Sequence, residues 1–266
     1  MLSFSLSRRL FLQAGLTAAC GLYFPRLSMA APGMDAARQA RHVVEFRSMC
    51  PGIAQYLTPR IGTEAAHRAA EDSAARFAAL LPGLPFIGGE ANRNQENLIQ
   101  AAWLIAMSKA VKARGLGAAD AGRILYDLCD RELAAMPAQE LLKRGAAYFS
   151  EENYAFLRQW AEETSTRRYP GDWVARVVLG TGDDFDIGHD YAQCGAVLLF
   201  RAHGEEDVAP YFCLNDFVLS RHEGTGLRRA HSIAQGDALC DFRYKNGREV
   251  TQSWETEVPR FAGATL

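Results

Sequence analysis

The Pro170-Gly171 pair separates two parts of the chain whose apolar residues repeat with different periods. Before this pair, apolar residues recur every three or four positions and the runs end at Pro or Gly, which is typical of amphipathic helices. The run from Asn94 to Gly115 is the clearest, and we expect it to form the central core helix. The expected helices span residues 34–50, 63–81, 94–114, 118–136 and 150–168.

After the pair, the pattern changes to short runs rich in β-branched residues. The segments DWVARVVLG, LRRAHSI and LCDFRYK each predict a short strand. DYAQCGAVLLFRAHG has helical spacing, and its length favours a helix. The sequence therefore predicts an α+β fold, with a helical N-terminal half packed on a small antiparallel sheet and with helices in the C-terminal half. The residues expected to be buried against the 94–114 helix, which carries Trp103 and Ile105, are Val177, Val178, Leu179 and Ile233.

An arginine pair followed by a short apolar run lies near the start of the chain. Arg8-Arg9 precedes Leu10-Phe11-Leu12, and Ser28-Met29-Ala30 supplies small residues for cleavage, a pattern typical of a twin-arginine export signal. The alternatives are an N-terminal amphipathic helix, an uncleaved anchor, or lipidation at Cys20. The apolar run is too short to span a bilayer comfortably, so we expect cleavage after Ala30 and no stable membrane insertion afterwards. The twin-arginine export machinery is thus an expected partner, and the expected location is periplasmic or secreted.

Removal of the signal leaves one expected domain, residues 31–266, with a helical part at 31–170 and an α+β part at 171–266. The sequence has 29 basic and 31 acidic residues, and removing the three arginines of the signal leaves 26 basic against 31 acidic, a charge near −5. That balance argues against a nucleic-acid partner. An odd number of cysteines remains, so at least one thiol is expected to stay unpaired. They are Cys50, Cys129, Cys194, Cys213 and Cys240.

Residues with reactive or ionisable side chains are concentrated in the second half of the chain, between His189-Asp190 and Arg243. Each has a structural interpretation: a cysteine among apolar residues often packs in a core, an aspartate often caps a turn, and a surface arginine often pairs with an acid. Their clustering within about sixty residues favours a functional interpretation over these. The candidate site residues are Cys194, Cys213, Asp216, His231, Cys240, Asp241 and Arg243.

These motifs resemble the L-2-amino-thiazoline-4-carboxylic acid hydrolase family over about residues 186 to 245. The matching elements are Cys194-Gly195, the run from Ala209 to Asp216, Arg229, and Cys240 to Arg243, in that order. The sequence departs from the family pattern at Gln193, where an acid is expected, at Ala230, where Thr is expected, and at Gln235, where Glu is expected. These departures affect the expected substrate more than the expected fold.

The resemblance implies hydrolysis of a small cyclic amidine or amide, such as 2-amino-thiazoline-4-carboxylate opened to carbamoyl-cysteine. Such a reaction requires a nucleophile or an activated water, a proton donor, and a cation for the substrate carboxylate. Asp216 or Asp241 could move protons, and a thiolate at Cys194 or Cys240 could attack, with Cys240 as the second choice. The predicted substrate-binding residues are Arg243, Arg229 as an alternative, and His231.

The segment CDFRY has its own geometric consequence. In a regular strand, Cys240, Phe242 and Tyr244 point to one face and Asp241, Arg243 and Lys245 to the other. Cys240 and Arg243 therefore share a pocket only if a bulge redirects one of them. We expect instead that Arg243 and Asp241 work with the thiol of Cys194, while Cys240 packs in the core.

Two interpretations from other functional classes remain open at this stage. In the first, Cys194, Cys213 and Cys240 bind zinc together with His189 or His231, although the long spacing between single ligands is unlike that of a zinc ribbon. In the second, the C-terminal half is a small-molecule-binding module of the vinyl-reductase type that binds without turnover. The sequence indicates no cofactor other than this zinc ion. The expected partner is a small-molecule substrate with a carboxylate.

Overall fold

The computed structural model describes residues 34–262, and the predicted signal at residues 1–30 lies outside this range. The first half of the described chain consists of helices. They are α1 (Ala36–Ile61), α2 (Thr63–Leu80), α3 (Gln95–Lys112), α4 (Ala118–Ala134), α5 (Ala138–Ala147) and α6 (Glu151–Ser165). Each sequence-predicted helix of this half is present, and α3 is the central core helix, with Leu98, Ile99, Leu104 and Ile105 fully buried.

Two helices of this half differ from the prediction. Helix α1 continues past its predicted end at residue 50 and contains Pro51 and Pro59. A proline removes one intrahelical hydrogen bond, but the buried face formed by Cys50, Ile53 and Leu57 continues across it and packs in the core. Helix α5 was not predicted, because it is short and contains Gly145. A Cβ atom at position 145 would lie 1.7 Å from the Glu223 carbonyl oxygen, so this glycine allows two helices to approach closely.

The second half of the described chain contains a four-stranded sheet and four further helices. The strands are β1 (Val174–Leu179), β2 (Ile187–Gln193), β3 (Arg228–Arg229) and β4 (Cys240–Tyr244), in the order β1-β2-β4-β3. All neighbouring strands are antiparallel. The helices are α7 (Gly195–Ala202), α8 (Ala209–Phe212), α9 (Asn215–Glu223) and α10 (Trp254–Ala262). The α+β prediction is confirmed.

The segment DYAQCGAVLLFRAHG is only partly helical. Asp190 to Gln193 belong to strand β2, and helix α7 begins at Gly195. The prediction of one continuous helix is wrong, because β2 pairs with β1 on one side and β4 on the other, and this pairing overrides local helical spacing.

The predicted burial of β1 is also partly wrong. Leu179 is 55% exposed at the end of edge strand β1. Val177 packs with Leu157 and Trp160 of α6 rather than with the α3 helix. Ile233 does pack against the cluster that contains Trp103 and Ile105.

Among the described residues, no helix is both long enough and apolar enough to cross a membrane.

Candidate functional site

The inner face of the sheet carries a row of aromatic side chains. The register places Tyr191 of β2 opposite Cys240 of β4, and His189 opposite Phe242, so these four side chains share one face. The Tyr191 and Phe242 rings lie 5.2 Å apart between centroids. Trp160 of helix α6 packs over this face, 6.0 Å from the Tyr191 ring. Strand alternation therefore places Cys240 on the side of the sheet covered by α6.

Arg229 and Asp216 form an ion pair next to this face. Arg229 is 6% exposed, lies opposite Phe242 in the sheet, and donates from Nη1 to Asp216 Oδ2 over 2.7 Å. Its Nη2 donates to the Cys213 carbonyl oxygen over 3.0 Å. Burial raises the pKa of the Asp216 carboxyl, while the Arg229 charge acts in the opposite direction. In the described part of the chain, no hydrogen-bond donor contacts Asp216 Oδ1, so one carboxylate oxygen is available for another group.

Three thiols come close to this pair from three different elements. Cys194 precedes α7, Cys213 follows α8, and Cys240 begins β4. The Ser232 hydroxyl lies 3.9 Å from Cys213 Sγ and 4.0 Å from Cys240 Sγ, and the Ile233 amide donates to Cys240 Sγ over 3.2 Å. Burial raises the pKa of Cys194 to about 12, and burial also raises the pKa values of Cys213 and Cys240. All three are therefore neutral thiols near pH 7.

Several of these side chains are desolvated by the surrounding protein and yet keep some accessible surface. The Asp216 side chain is 41% exposed although burial raises its pKa. Cys194, Cys213, Tyr191 and Tyr244 are also only partly covered, while burial raises their pKa values. The Asp216 charge also raises the pKa values of these two thiols and two phenols, so all four side chains lie near Asp216. We call this group, with Asp216, the recess. A carboxylate, thiols and phenols are a set suited to proton transfer on a small ligand.

Arg243 and Asp241 lie on the opposite face of the sheet. Arg243 pairs with Gly188 in the register and donates from Nη2 to Asp190 Oδ1 over 2.7 Å. Asp241 Oδ1 accepts the Ala230 amide over 2.9 Å and thus holds the turn after β3. Cys194 lies just beyond the other end of β2. The predicted grouping of Arg243, Asp241 and Cys194 is therefore not assembled, because strand alternation sends the first two residues away from the recess.

His231 does not reach the recess either. Its side chain is 61% exposed, and its Nδ1 lies 3.5 Å from Asp237 Oδ1. Of the sequence-predicted site residues, the structure brings together Cys194, Cys213, Asp216, Arg229 and Cys240, and it separates Asp241, Arg243 and His231 from them. The chemical roles of the residues that it brings together stay predictions.

Three residues near the recess were missed or undervalued by the sequence analysis. In the part of the chain that the structure describes, three buried atoms lack a hydrogen-bond partner: Arg93 Nη1, Trp160 Nε1 and His189 Nε2. Arg93 lies in the turn before α3, where no periodic pattern marks it. Trp160 follows the apolar spacing of α6, and His189 was considered only as a zinc ligand. A motif search does not detect such atoms, because only the folded structure shows that they lack a hydrogen-bond partner.

The predicted zinc site lacks the required arrangement. In residues 34–262, no group of three or more His, Cys, Asp or Glu side chains is placed to hold a metal ion. The three thiols that the sequence suggested as zinc ligands do not form such a group in this part of the chain, and each is a free thiol.

Comparison with known proteins gives one match. Residues 96–244, more than half of the chain, match the family model described as L-2-amino-thiazoline-4-carboxylic acid hydrolase. The matched region includes all the thiols of the recess, Asp216 and Arg229, and it begins three residues after Arg93. Neither the curated proteins nor the solved structures contain a match to the chain.

Proposed function

Because the chain belongs to the L-2-amino-thiazoline-4-carboxylic acid hydrolase family, we propose that it hydrolyses a small cyclic amidine, such as 2-amino-thiazoline-4-carboxylate opened to carbamoyl-cysteine. The observation that carries this proposal is the pair of buried Arg229 with partly exposed Asp216, which leaves Asp216 Oδ1 available to the recess. A carboxylate whose pKa is raised by burial is a better proton acceptor near neutral pH than one in water.

Asp216 acts as the proton carrier in the proposed reaction. Its carboxylate removes a proton from water while the water oxygen bonds to the amidine carbon, and the C=N electrons move to the ring nitrogen. The nitrogen then takes the proton from Asp216. The tetrahedral intermediate opens by breaking a ring bond at the same carbon, and the hydroxyl proton moves to the departing ring atom, which leaves a carbamoyl group. Arg229 holds Asp216 in place and favours its charged form between proton transfers.

The state of the thiols supports attack by water over attack by sulfur. Cys194 has a pKa of about 12 because of burial, so very little thiolate is present near pH 7. A neutral thiol is a poor nucleophile toward an amidine carbon, whereas water needs only a base within hydrogen-bond reach. The role of Cys194 as the attacking group, which the family resemblance suggested, stays a prediction that a substitution can test.

Turnover of a substrate panel tests the proposal directly. The mature protein is incubated with cyclic amidines and cyclic amides, with and without a carboxylate, and products are identified by mass. We expect a mass gain of one water for a cyclic amidine. Asp216→Asn should lower kcat about 100-fold or more, because the proton acceptor is lost. Asp241→Asn, in which the other predicted acid is changed outside the recess, should stay within a few-fold of the wild type.

Two outcomes would contradict the proposal. If no cyclic amidine or amide gains water with the folded wild-type protein, the reaction class is wrong. If Asp241→Asn abolishes turnover and Asp216→Asn does not, the reaction takes place on the other face of the sheet. This is the result that the predicted grouping of Asp241 with Arg243 would give.

We also propose that the enzyme acts outside the cytoplasm. Arg8-Arg9, the apolar run after them and the small residues before residue 31 support export by the twin-arginine route, which carries folded proteins. On this proposal the enzyme meets a substrate that is present in the periplasm or the medium.

A further inference from the structure

Within the described residues, three buried nitrogen atoms near the inner face of the sheet have no hydrogen-bond partner. They are Arg93 Nη1, Trp160 Nε1 and His189 Nε2. Trp160 is 6% exposed and His189 is 1% exposed, so water does not readily reach their ring nitrogens. The arginine and tryptophan atoms can only donate hydrogen bonds. Buried donors without acceptors are rare because each costs free energy, and several in one place indicate a missing acceptor.

The three side chains are neighbours. The guanidinium carbon of Arg93 lies 4.6 Å from the centroid of the Trp160 ring, and the Trp160 and His189 rings are 6.1 Å apart and perpendicular. The turn that carries Arg93 is fixed by Asn92, whose Nδ2 donates to both the Ile87 carbonyl and Asp172 Oδ2 over 2.6 Å. The donors are therefore held in position before any ligand binds, which reduces the entropy cost of binding.

Arg93 is also the arginine of this region that has no counter-charge. Arg229 is engaged by Asp216 and by the Cys213 carbonyl, and Arg243 is engaged by Asp190. Within the described part of the chain, no acidic side chain pairs with Arg93, and its nearest aromatic contacts are Trp160 and Phe156. A cation with a buried nitrogen, no acid and a stacked aromatic ring is suited to a ligand anion.

His189 contributes a neutral donor. Burial, and to a smaller extent the Arg93 charge, lowers the pKa of His189 to about 3, so the imidazole is uncharged near pH 7. Its Nδ1 lies 3.3 Å from the Tyr148 hydroxyl. When Nδ1 accepts that hydroxyl, the ring proton lies on Nε2, which then donates. The group as a whole carries one positive charge, which matches one carboxylate.

Tyr191, a member of the recess, lies next to this group. Its ring lies 6.0 Å from that of Trp160 and 5.2 Å from that of Phe242, and the guanidinium carbon of Arg229 lies 4.9 Å from Phe242. The Arg93 charge lowers and the Asp216 charge raises the pKa values of the Tyr191 and Tyr244 hydroxyls, so both charges lie near these hydroxyls. A small ligand beside the two hydroxyls would therefore be near both the cation and the proton acceptor.

We propose that Arg93, Trp160 and His189 form a subsite that binds the carboxylate of a small anionic heterocycle and directs its ring toward Asp216. The identity of the ring rests on the proposed function. The binding of the carboxylate depends only on the three donors. The arginines predicted from the sequence, Arg243 and Arg229, have protein acceptors and take no part in it.

Calorimetric titration with thiazolidine-4-carboxylate tests the subsite without turnover, because the saturated ring has no C=N carbon to attack. Arg93→Met should weaken the binding of this anion about 10- to 100-fold, which is the usual effect of losing a charge-assisted hydrogen bond. Trp160→Phe keeps an aromatic ring but removes Nε1–H together with the pyrrole part of the indole, so it should weaken binding several-fold. Arg158→Met is the matched control, because Arg158 is an exposed arginine on the same helix as Trp160; its affinity should equal that of the wild type.

Turnover then separates the failure of this inference from that of the proposed function. For 2-amino-thiazoline-4-carboxylate, Arg93→Met should raise KM at least 10-fold, whereas for the decarboxylated ring the wild type and the variant should have equal KM values. If the anion binds in an Arg93-dependent way and no amidine is turned over, the subsite stands and the reaction class fails. If turnover occurs and Arg93→Met leaves the affinity of thiazolidine-4-carboxylate unchanged, the subsite is wrong and the reaction stands.

Discussion

Arg229 donates a hydrogen bond of 2.7 Å to Asp216, and its side chain is only 4% exposed. The same guanidinium binds the Cys213 carbonyl and lies 4.9 Å from the ring centroids of both Phe217 and Phe242. One side chain therefore joins β3 to the α8–α9 region and to β4. It fixes the carboxylate that we propose as the proton carrier.

Arg229→Met tests how much this arrangement stabilises the fold. The substitution leaves Asp216 without its counter-charge and the Cys213 carbonyl without its donor. We expect the free energy of unfolding in urea to fall by about 3 kcal/mol, the lower end for a broken buried pair, since Asp216 keeps some solvent contact. Arg228→Met is the control: its exposed pair with Asp184 should contribute less than about 1 kcal/mol. Equal losses for the two variants would show that the Arg229 pair is no stronger than a surface one.

Gly195→Ala tests whether close packing sets the position of Cys194. A Cβ atom at residue 195 would lie 2.4 Å from the Gly171 carbonyl oxygen and 2.7 Å from the Trp173 ring, so the start of α7 would have to move. We expect a loss of about 1–3 kcal/mol in urea denaturation and reduced turnover. Gly83→Ala is the control, because a Cβ atom there meets nothing within 4 Å. Unchanged stability of Gly195→Ala would mean that α7 shifts freely.

The sequence predicted five of the six described helices of the first half, because apolar periodicity is a local property. It failed for β2, whose residues include Gly188, His189 and Asp190, because these become a strand only through pairing with β1 and β4. That error affected the site. With Asp190 to Gln193 taken as part of a helix, Asp190 could not be recognised as the partner of Arg243, which the family resemblance had assigned to the substrate.

The grouping of the site was predictable only in part. Strand alternation correctly separated Cys240 from Arg243, since this follows from geometry alone. Which of the two faces lies under α6 was not predictable, because it depends on the packing of Trp160 and Val177. Arg93 could not be predicted as a site residue for a different reason. An arginine that lacks an acceptor can be recognised only when the positions of all neighbouring side chains are known.

Replacement of Arg8-Arg9 by Lys-Lys tests the export proposal. Twin-arginine recognition depends on the guanidinium pair, so we expect the precursor to remain in the cytoplasm while the charge of the segment is unchanged. Cell fractionation and N-terminal sequencing provide the measurement. The wild-type protein should begin near Ala31 in the periplasm or medium. Export of the lysine variant, or an intact N-terminus on the exported protein, would argue against the signal.

The buried histidine should make the protein sensitive to acid. The pKa of His189 is near 6.5 in the unfolded chain and about 3 in the fold, so the unfolded state binds the extra proton between these values. Stability from neutral His189 is thus present above pH 6.5 and is lost as the pH falls toward 3, at up to about 1.4 kcal/mol per pH unit. Urea denaturation from pH 7 to 4 should show a weaker pH dependence for His189→Gln than for the wild type. His67→Gln, at an exposed position, should follow the wild type; parallel curves for all three proteins would rule out a buried neutral His189.

Serine substitutions of Cys194 and Cys240 distinguish water attack from thiol attack. Burial raises the pKa of Cys194 to about 12, so its alkylation by iodoacetamide should be slow at pH 7 and accelerate as the pH rises. On the water route, Cys194→Ser should keep kcat within about 10-fold of the wild type. Cys240 is 4% exposed, so Cys240→Ser should mainly lower stability, by about 1–2 kcal/mol. The sequence-based hypothesis makes the opposite prediction for Cys194. A Cys194→Ser protein that folds normally and has lost nearly all turnover would make that thiol the nucleophile and Asp216 the base that deprotonates it.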